Sequence, residues 1–334
     1  LVLMVVVLRE GRLLLIPLSI ALLLAFMTYP VSRWLMRRGM SLLWSVIFCM
    51  TMLLMGGALL VWIMVAQVNA FFLEWPVLQT RIAGALGELS RYLSARLGIS
   101  FESQLAWIDE TMGNSGNELI PLLGNTVTSF TEFLYFLLIV PLFAGLILYY
   151  RKRLVAALLL FAGKRYASLT GEVLRESIVS YFNFVKGMIV VYVFVGVLNS
   201  VGLALLGLPH PLLLGFVAAI LTFIPYVGII AGSLLPIAIA WVNFQSVWYP
   251  LAVVAIFTIV QVVEAYVIFP WAVGSRLRIN SLLLLCAIVC GGIVWGAVGM
   301  IVVVPFIGML KLVADRVEAL KALSLLFGTG KLNG

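Results

Sequence analysis

Two apolar stretches, 211–241 and 281–310, are each too long for one comfortable membrane crossing, and each is interrupted near its middle. The first breaks at Phe223-Ile224-Pro225-Tyr226-Val227-Gly228, the second from Gly291-Gly292 through Gly299. A crossing helix needs about 20 apolar residues. In hydrocarbon an unpaired backbone amide or carbonyl costs several kcal/mol, so nonhelical backbone survives there only under protein cover or beside a polar cavity. Pro225 has no amide donor and its ring opposes helix for the residue four back. Glycines allow close approach of backbone or ligand. Paired, interrupted apolar segments in two parts of a chain therefore point to a transport site, with helix ends presenting partial charges near the membrane centre. The plain alternative is a proline-kinked single span in each place.

Hydrophobic residues make up 64% of the chain and charged residues 10%, against roughly 25% charged in soluble domains. This composition belongs to an all-α polytopic membrane protein. The net charge of +8 sits between apolar runs, so it reports topology and not nucleic-acid binding. The opening run Leu1–Leu8 has no Met and reads as a trimmed first span. Cys49, Cys286 and Cys290 all lie in apolar segments. Without His or acidic neighbours they read as packing residues, not a metal site. There is no phosphate-binding Gly-Lys-Ser/Thr loop, and the single His210 has no nucleophile and acid beside it. Direct use of ATP and enzymatic catalysis are not expected, nor is any cofactor.

The apolar runs fall at 1–8, 13–30, 42–66, 126–149, 187–206, 211–241, 247–270 and 281–310, about eight membrane segments. Between them, 67–124 carries Glu74, Glu88, Glu102, Asp109, Glu110 and Glu118. Ile82, Leu86, Leu89, Leu93 and Leu97 recur there at helical spacing, which predicts an amphipathic extracytoplasmic segment. The stretch 151–186 opens on Arg151-Lys152-Arg153 and continues through Lys164, Arg165, Arg175 and Lys186, while 31–41 carries Arg33, Arg37 and Arg38 with no acid. Both are cytoplasmic by the positive-inside rule. If 211–241 crossed once, the Arg276/Arg278 loop would lie outside, against that rule. If 211–241 enters and returns, the loop is inside. A second re-entrant hairpin at 281–310 keeps Lys311, Arg316 and Lys321 inside too. Opposite entry sides and the small-residue pairs Gly228/Gly232 and Gly292/Gly296 then make an inverted repeat.

Several elements resemble the autoinducer-2 exporter family of bacterial membrane proteins: Gly207-Leu208-Pro209, Leu213-Leu214-Gly215-Phe216, the Ile224-Pro225-Tyr226-Val227-Gly228 break, Gln261-Val-Val-Glu264, Phe269-Pro270, Gly291-Gly292 and Val304-Pro305. The resemblance covers nearly the whole chain. It implies a multi-pass carrier of the bacterial inner membrane that exports small solutes, autoinducer-2 in some members, with cation/proton antiport in others. It also implies a homo-oligomer, with a pentamer as one count it permits, and elevator-like movement of the hairpin-bearing unit. Asn280-Ser281 and Ala265 depart from the family pattern, which bears on substrate more than on fold.

The candidate solute-binding residues are Thr222, Pro225, Tyr226 and Gly228 at the first break, Gly291 and Gly292 at the second, and Asn199 on the fifth span. Glu264 is the candidate for proton or cation coupling, because an acid inside an apolar span is costly and usually functional. Gln261 shares its helix face. Lys186 is read either as an ion partner for Glu264 or as a side chain snorkelling to the headgroups. His210 reads as a turn residue. The expected division is 1–66 scaffold spans, 67–124 extracytoplasmic segment, 125–186 fourth span and cytoplasmic basic segment, 187–314 hairpin-bearing transport unit, and 315–334 cytoplasmic tail. The leading expectation is a secondary exporter of a small polar solute, with lipid and a small molecule or ion as partners. Its rivals are a Na⁺/H⁺-type antiporter using Glu264, and a membrane scaffold without transport.

Overall fold

The computed structural model describes residues 2–97, 135–223, 227–244, 246–273 and 279–328, and every regular element among them is helical. The acids from Glu102 to Glu118, the 114–117 loop, Glu132, Pro225, Tyr226 and the 274–278 basic loop lie outside the described residues. Five described helices are long and apolar enough to cross a membrane: Arg12–Arg37, Leu42–Ile63, Arg151–Leu205, Trp248–Ala272 and Leu282–Ala314. Shorter apolar helices run over Tyr135–Tyr149, Pro211–Leu221 and Gly228–Phe244.

Helix α1 (Val2–Glu10) meets α2 (Arg12–Arg37) at Gly11. Helix α3 (Leu42–Leu97) does not stop at the membrane boundary expected near residue 66. Its 56 residues rise roughly 84 Å, far beyond a hydrocarbon core of about 30 Å. Helix α4 (Tyr135–Tyr149) returns toward the basic segment. That segment and the fifth span make up α5 (Arg151–Leu205), which reverses direction at Gly163 (φ 72°): Leu159 stands 3.8 Å from where a methyl on Gly171 would lie, whereas twelve residues of straight helix cover ~18 Å. Ala21 and Ala25 of α2, Val46 of α3, and Val140, Ala144 and Leu148 of α4 make one core.

Helices α6 (Pro211–Leu221) and α7 (Val227–Phe244) fold back on each other. A methyl group on Gly232 would stand 2.8 Å from Ala218 Cα, so the bare glycine is what lets the arms touch. At the open end, Gly207 lies against the Phe244 ring, which stacks on Tyr249 at 3.9 Å. Leu203, Leu214, Ala218, Leu235, Val253 and Phe257 pack there as a second core. Helix α8 (Trp248–Val263) passes through a π-helical turn, Glu264–Ile268, into α9 (Phe269–Ala272). The cause is Pro270, which cannot donate to the carbonyl four residues back; the Phe269 amide reaches Glu264 O, five back.

Helix α10 (Ser281–Ala314) counts as one span by length, yet it reverses direction at Trp295 (φ −129°) and Gly296 (φ 63°). A methyl on Gly291 would lie 2.6 Å from Gly299 O, whereas eight residues of straight helix cover ~12 Å. The turn thus falls inside the expected break, and Gly291 and Gly292 serve the contact between the arms instead of the turn itself. Both ends of α10 meet α11 (Lys321–Phe327): the Asn280 amide donates to Phe327 O at 2.9 Å, and Ser324 Oγ to Asp315 Oδ1 at 2.6 Å. A straight helix of 34 residues would hold those ends ~50 Å apart.

The open ends of the two folded-back pairs sit at well-separated levels of α5. Arg316, after α10, pairs with Glu176 partway along it, while Gly207, before α6, follows its C-terminus. About 45 Å of helix rise separates Glu176 from Gly207, close to a bilayer with its headgroups.

Candidate functional site

Close backbone contacts bring the polar residues of the apolar region together. Helix α5 runs antiparallel to α8–α9: Gly202 takes Ile256, and Gly187 lies under the Ala272 carbonyl, where a methyl would stand at 2.7 Å. It also runs antiparallel to α6, with Gly196 under the Phe216 ring and Gly215 on the Ser200 backbone. Each contact needs a residue without a side chain. Val191, Val195, Ala219, Val260, Ile268 and Val273 fill the junction.

This packing places Tyr192 at the centre of the group. Its ring meets Phe223, the last described residue before the first break, edge-on at 6.2 Å. Its phenol lies within electrostatic reach of the Glu264 carboxylate. Tyr192 is also about 23 Å of helix rise from either Glu176 or Gly207. The first tip and Glu264 therefore share one level, midway between Glu176 and Gly207. Glu264 is half-buried at the start of the π turn, and Gln261 Nε2 donates to its Oε2. Among the described residues no cation pairs with it. A carboxyl held by a neutral amide can exchange a proton or hold a cation without displacing a fixed counter-charge. No three described His, Cys, Asp or Glu side chains gather as a metal site.

The other expected residues are less concentrated. Asn199 is buried on α5 at 3% exposure, and its Oδ1 has no hydrogen-bond partner. A buried orphan acceptor is uncommon. Thr222 spends its hydroxyl on Ala219 O at 2.6 Å. Gly228 faces the Leu221 carbonyl and Thr222, closing the arms below the first tip. Gly291 and Gly292 belong to the other pair, whose tip residue Trp295 donates from Nε1 to Leu8 O of α1 at 2.8 Å. Lys186 is exposed, and no ion pair joins it to Glu264. His210 occupies an exposed left-handed turn position, φ 51°. Two large apolar cavities flank α4, away from both tips.

Sequence reasoning passed over Tyr192. Its signal was present: tyrosine favours membrane interfaces, and this one stands deep within an apolar run.

The model of the AI-2E family transporter matches residues 1–319. A transport protein of Borreliella burgdorferi is 26% identical over 318 residues, 95% of this chain and 85% of that protein. MT0215 of Mycobacterium tuberculosis is 26% identical, covering 90% of this chain and 82% of its own length. YrrI of Bacillus subtilis is 33% identical over 138 residues, 41% of this chain and 38% of YrrI. All three carry the name "putative transport protein". A family match along nearly the whole chain, joined to five spanning-length apolar helices, makes this a multi-pass membrane protein that belongs to the AI-2E transporter family.

Proposed function

We propose that the protein is a secondary transporter that exports a small polar solute, with autoinducer-2 as the candidate the family name offers. The observation that carries the reading is the meeting of the first tip, Tyr192 and Glu264 at mid-depth. In this reading α6–α7 and the two arms of α10 are re-entrant hairpins entering from opposite faces. The wide separation of their open ends along α5 supports it. The solute binds beside Thr222, Pro225, Tyr226 and Gly228, with the orphan Asn199 carbonyl as a further acceptor. Gly291 and Gly292 line the approach to the second tip. The unit 187–314 moves against the scaffold of α2–α4, whose core is separate. Homo-oligomeric assembly, with five subunits as the count to test by light scattering, and residence in the bacterial inner membrane complete the proposal.

A second reading is favoured by one feature, the uncountered Glu264 with its Gln261 donor: cation/proton antiport through that carboxyl. Proteoliposome flux separates the two. A furanone solute and imposed Na⁺ and H⁺ gradients are run side by side on wild type and Glu264→Gln. Solute export is expected in wild type and is slowed, not abolished, in the variant. Ion exchange without solute flux, lost completely in Glu264→Gln, assigns the antiporter. Absence of both fluxes leaves the membrane scaffold. Topology is read independently with single cysteines in a Cys-free background. Glu318→Cys should resist impermeant thiol reagents from outside and Leu212→Cys should react. Reaction of both from the same side removes the opposed hairpins.

A further inference from the structure

The two apolar cavities beside α4 belong to no part of the proposed solute path. One, of about 520 Å³, is walled by α3 and α4 through Leu43, Met50, Leu138 and Gly145. The other, of about 380 Å³, lies between α2, α4 and the start of α5 and is lined by Leu18, Phe143, Ile147 and Leu154. They flank the same helix and share Leu146 and Tyr150 at its cytoplasmic end. Both are volumes that suit a hydrocarbon chain.

The shared end is strongly basic. Arg153 itself lines the smaller cavity and packs over the Tyr150 ring at 5.8 Å. The Arg151 guanidinium sits over Tyr29 at 5.4 Å, and its Nη2 contacts Met36 Sδ at 3.4 Å. Its Nη1 is buried and has no hydrogen-bond partner. A buried guanidinium nitrogen without an acceptor is costly, and a phosphate is the group that its planar fork fits best. Helix α5 starts here with no side-chain cap, so its positive end adds to the field. Neither 31–41 nor 151–171 contains an acid.

We infer that this is a built site for an anionic phospholipid, with the phosphate on Arg151 and Arg153 and one acyl chain in each groove beside α4. The chemistry of the cleft matches the ligand at both ends: apolar walls open to the bilayer, and unpaired cationic donors at headgroup depth. The bound lipid would wedge the scaffold helices α2, α3 and α4 against the start of α5.

The test uses the full chain purified in detergent and native mass spectrometry. The probes are phosphatidylglycerol, phosphatidylethanolamine and inorganic phosphate. One phosphatidylglycerol per chain should be retained about tenfold more strongly than phosphatidylethanolamine, which carries the same phosphate but adds an ammonium that the two guanidiniums repel. Arg151→Gln with Arg153→Gln should erase that preference. Lys164→Gln with Arg165→Gln, an equal loss of charge past the Gly163 reversal, should keep it. Equal retention of the two lipids overturns the proposal, and so does equal loss in the two variant pairs, which would mean diffuse surface charge. Inorganic phosphate that displaces the lipid completely reduces the site to a soluble-anion site and also overturns it. Disulfide cross-linking of Leu142→Cys between copies in high yield would show the groove covered by a second chain, with the same consequence. If the glutamine pair does not fold, the wild-type headgroup preference and the cross-linking result decide the matter.

Discussion

The two folded-back helix pairs carry similar sequence signatures but are held in different ways. In α6–α7, Leu214, Gly215, Val217, Ala218 and Ala219 are buried, and the arms pack on α5 and α8. In α10 burial is confined to the second arm, at Gly299, Val302, Pro305, Gly308 and Ala314; none of Leu282–Trp295 is buried, and Leu282, Leu285, Val289 and Ile293 are exposed. The second pair is fastened at points: Trp295 to Leu8 at the tip, and Asp315, Ser324, Arg316 and Glu176 at the open end. Lipid tails are as apolar as leucine, so burial alone does not favour helix contact in a membrane; close packing of small residues and polar ties do. Both pairs use the former, α10 where Gly291 meets Gly299, and the second adds the latter.

The comparison breaks most sharply at Gly228. Gly228→Ala would drive a methyl into the Leu221 carbonyl, a backbone group that cannot move aside. A loss of about 1–3 kcal/mol is expected, read as a lower melting midpoint in detergent. An unchanged midpoint would mean that the α6–α7 packing is not tight. Next is Trp295→Phe, which keeps the ring but removes the tie to Leu8. About 0.5–1.5 kcal/mol is expected, and hydrogen exchange should rise in 281–310 while 211–244 stays protected. Uniform change in both pairs would erase the distinction.

The smallest effect lies in the latch at the open end of α10. Burial pushes the Asp315 carboxyl up, but hydrogen bonds from Lys311 and Ser324 and the charges of Lys311 and Arg316 outweigh it and hold the group below its ordinary value. The latch contribution is therefore full above the ordinary aspartate range near 4. It is lost as pH falls through the lower folded-state value. The partly exposed pair contributes a few tenths of a kcal/mol. Asp315→Asn should flatten that acid limb of a melting-versus-pH curve, and a limb of unchanged slope would assign it to other carboxylates.

Much of this was legible along the chain. Apolar runs and their basic flanks predicted the spanning-length helices, and the glycines of 291–299 marked a stretch where regular helix fails. Glu264 stood out because an acid in an apolar run has few reasons to be there. Other features depend on residues far apart in sequence. The polar stretch after Gly163, 164–186, fused with the apolar run 187–206 into one helix because no residue between them ends it, while Gly163 breaks the helix before them. The exact reversal at Trp295–Gly296 was hidden among four nearby glycines, of which only Gly296 takes positive φ. Lys186 remained a candidate partner for Glu264 until the helix faces were known. Tyr192 joined the site only because α6 and α8–α9 pack on the same part of α5.

Composition and local chemistry thus determined by themselves that the chain is helical, crosses lipid and must hide two breaks, since backbone polar groups cannot go unpaired in hydrocarbon. Which surfaces meet was decided by tertiary structure. Contacts in a membrane rest on close fit between particular backbones, and whether Gly215 finds Ser200, or Tyr192 finds Phe223 and Glu264, is a property of the packed helices and not of any one segment.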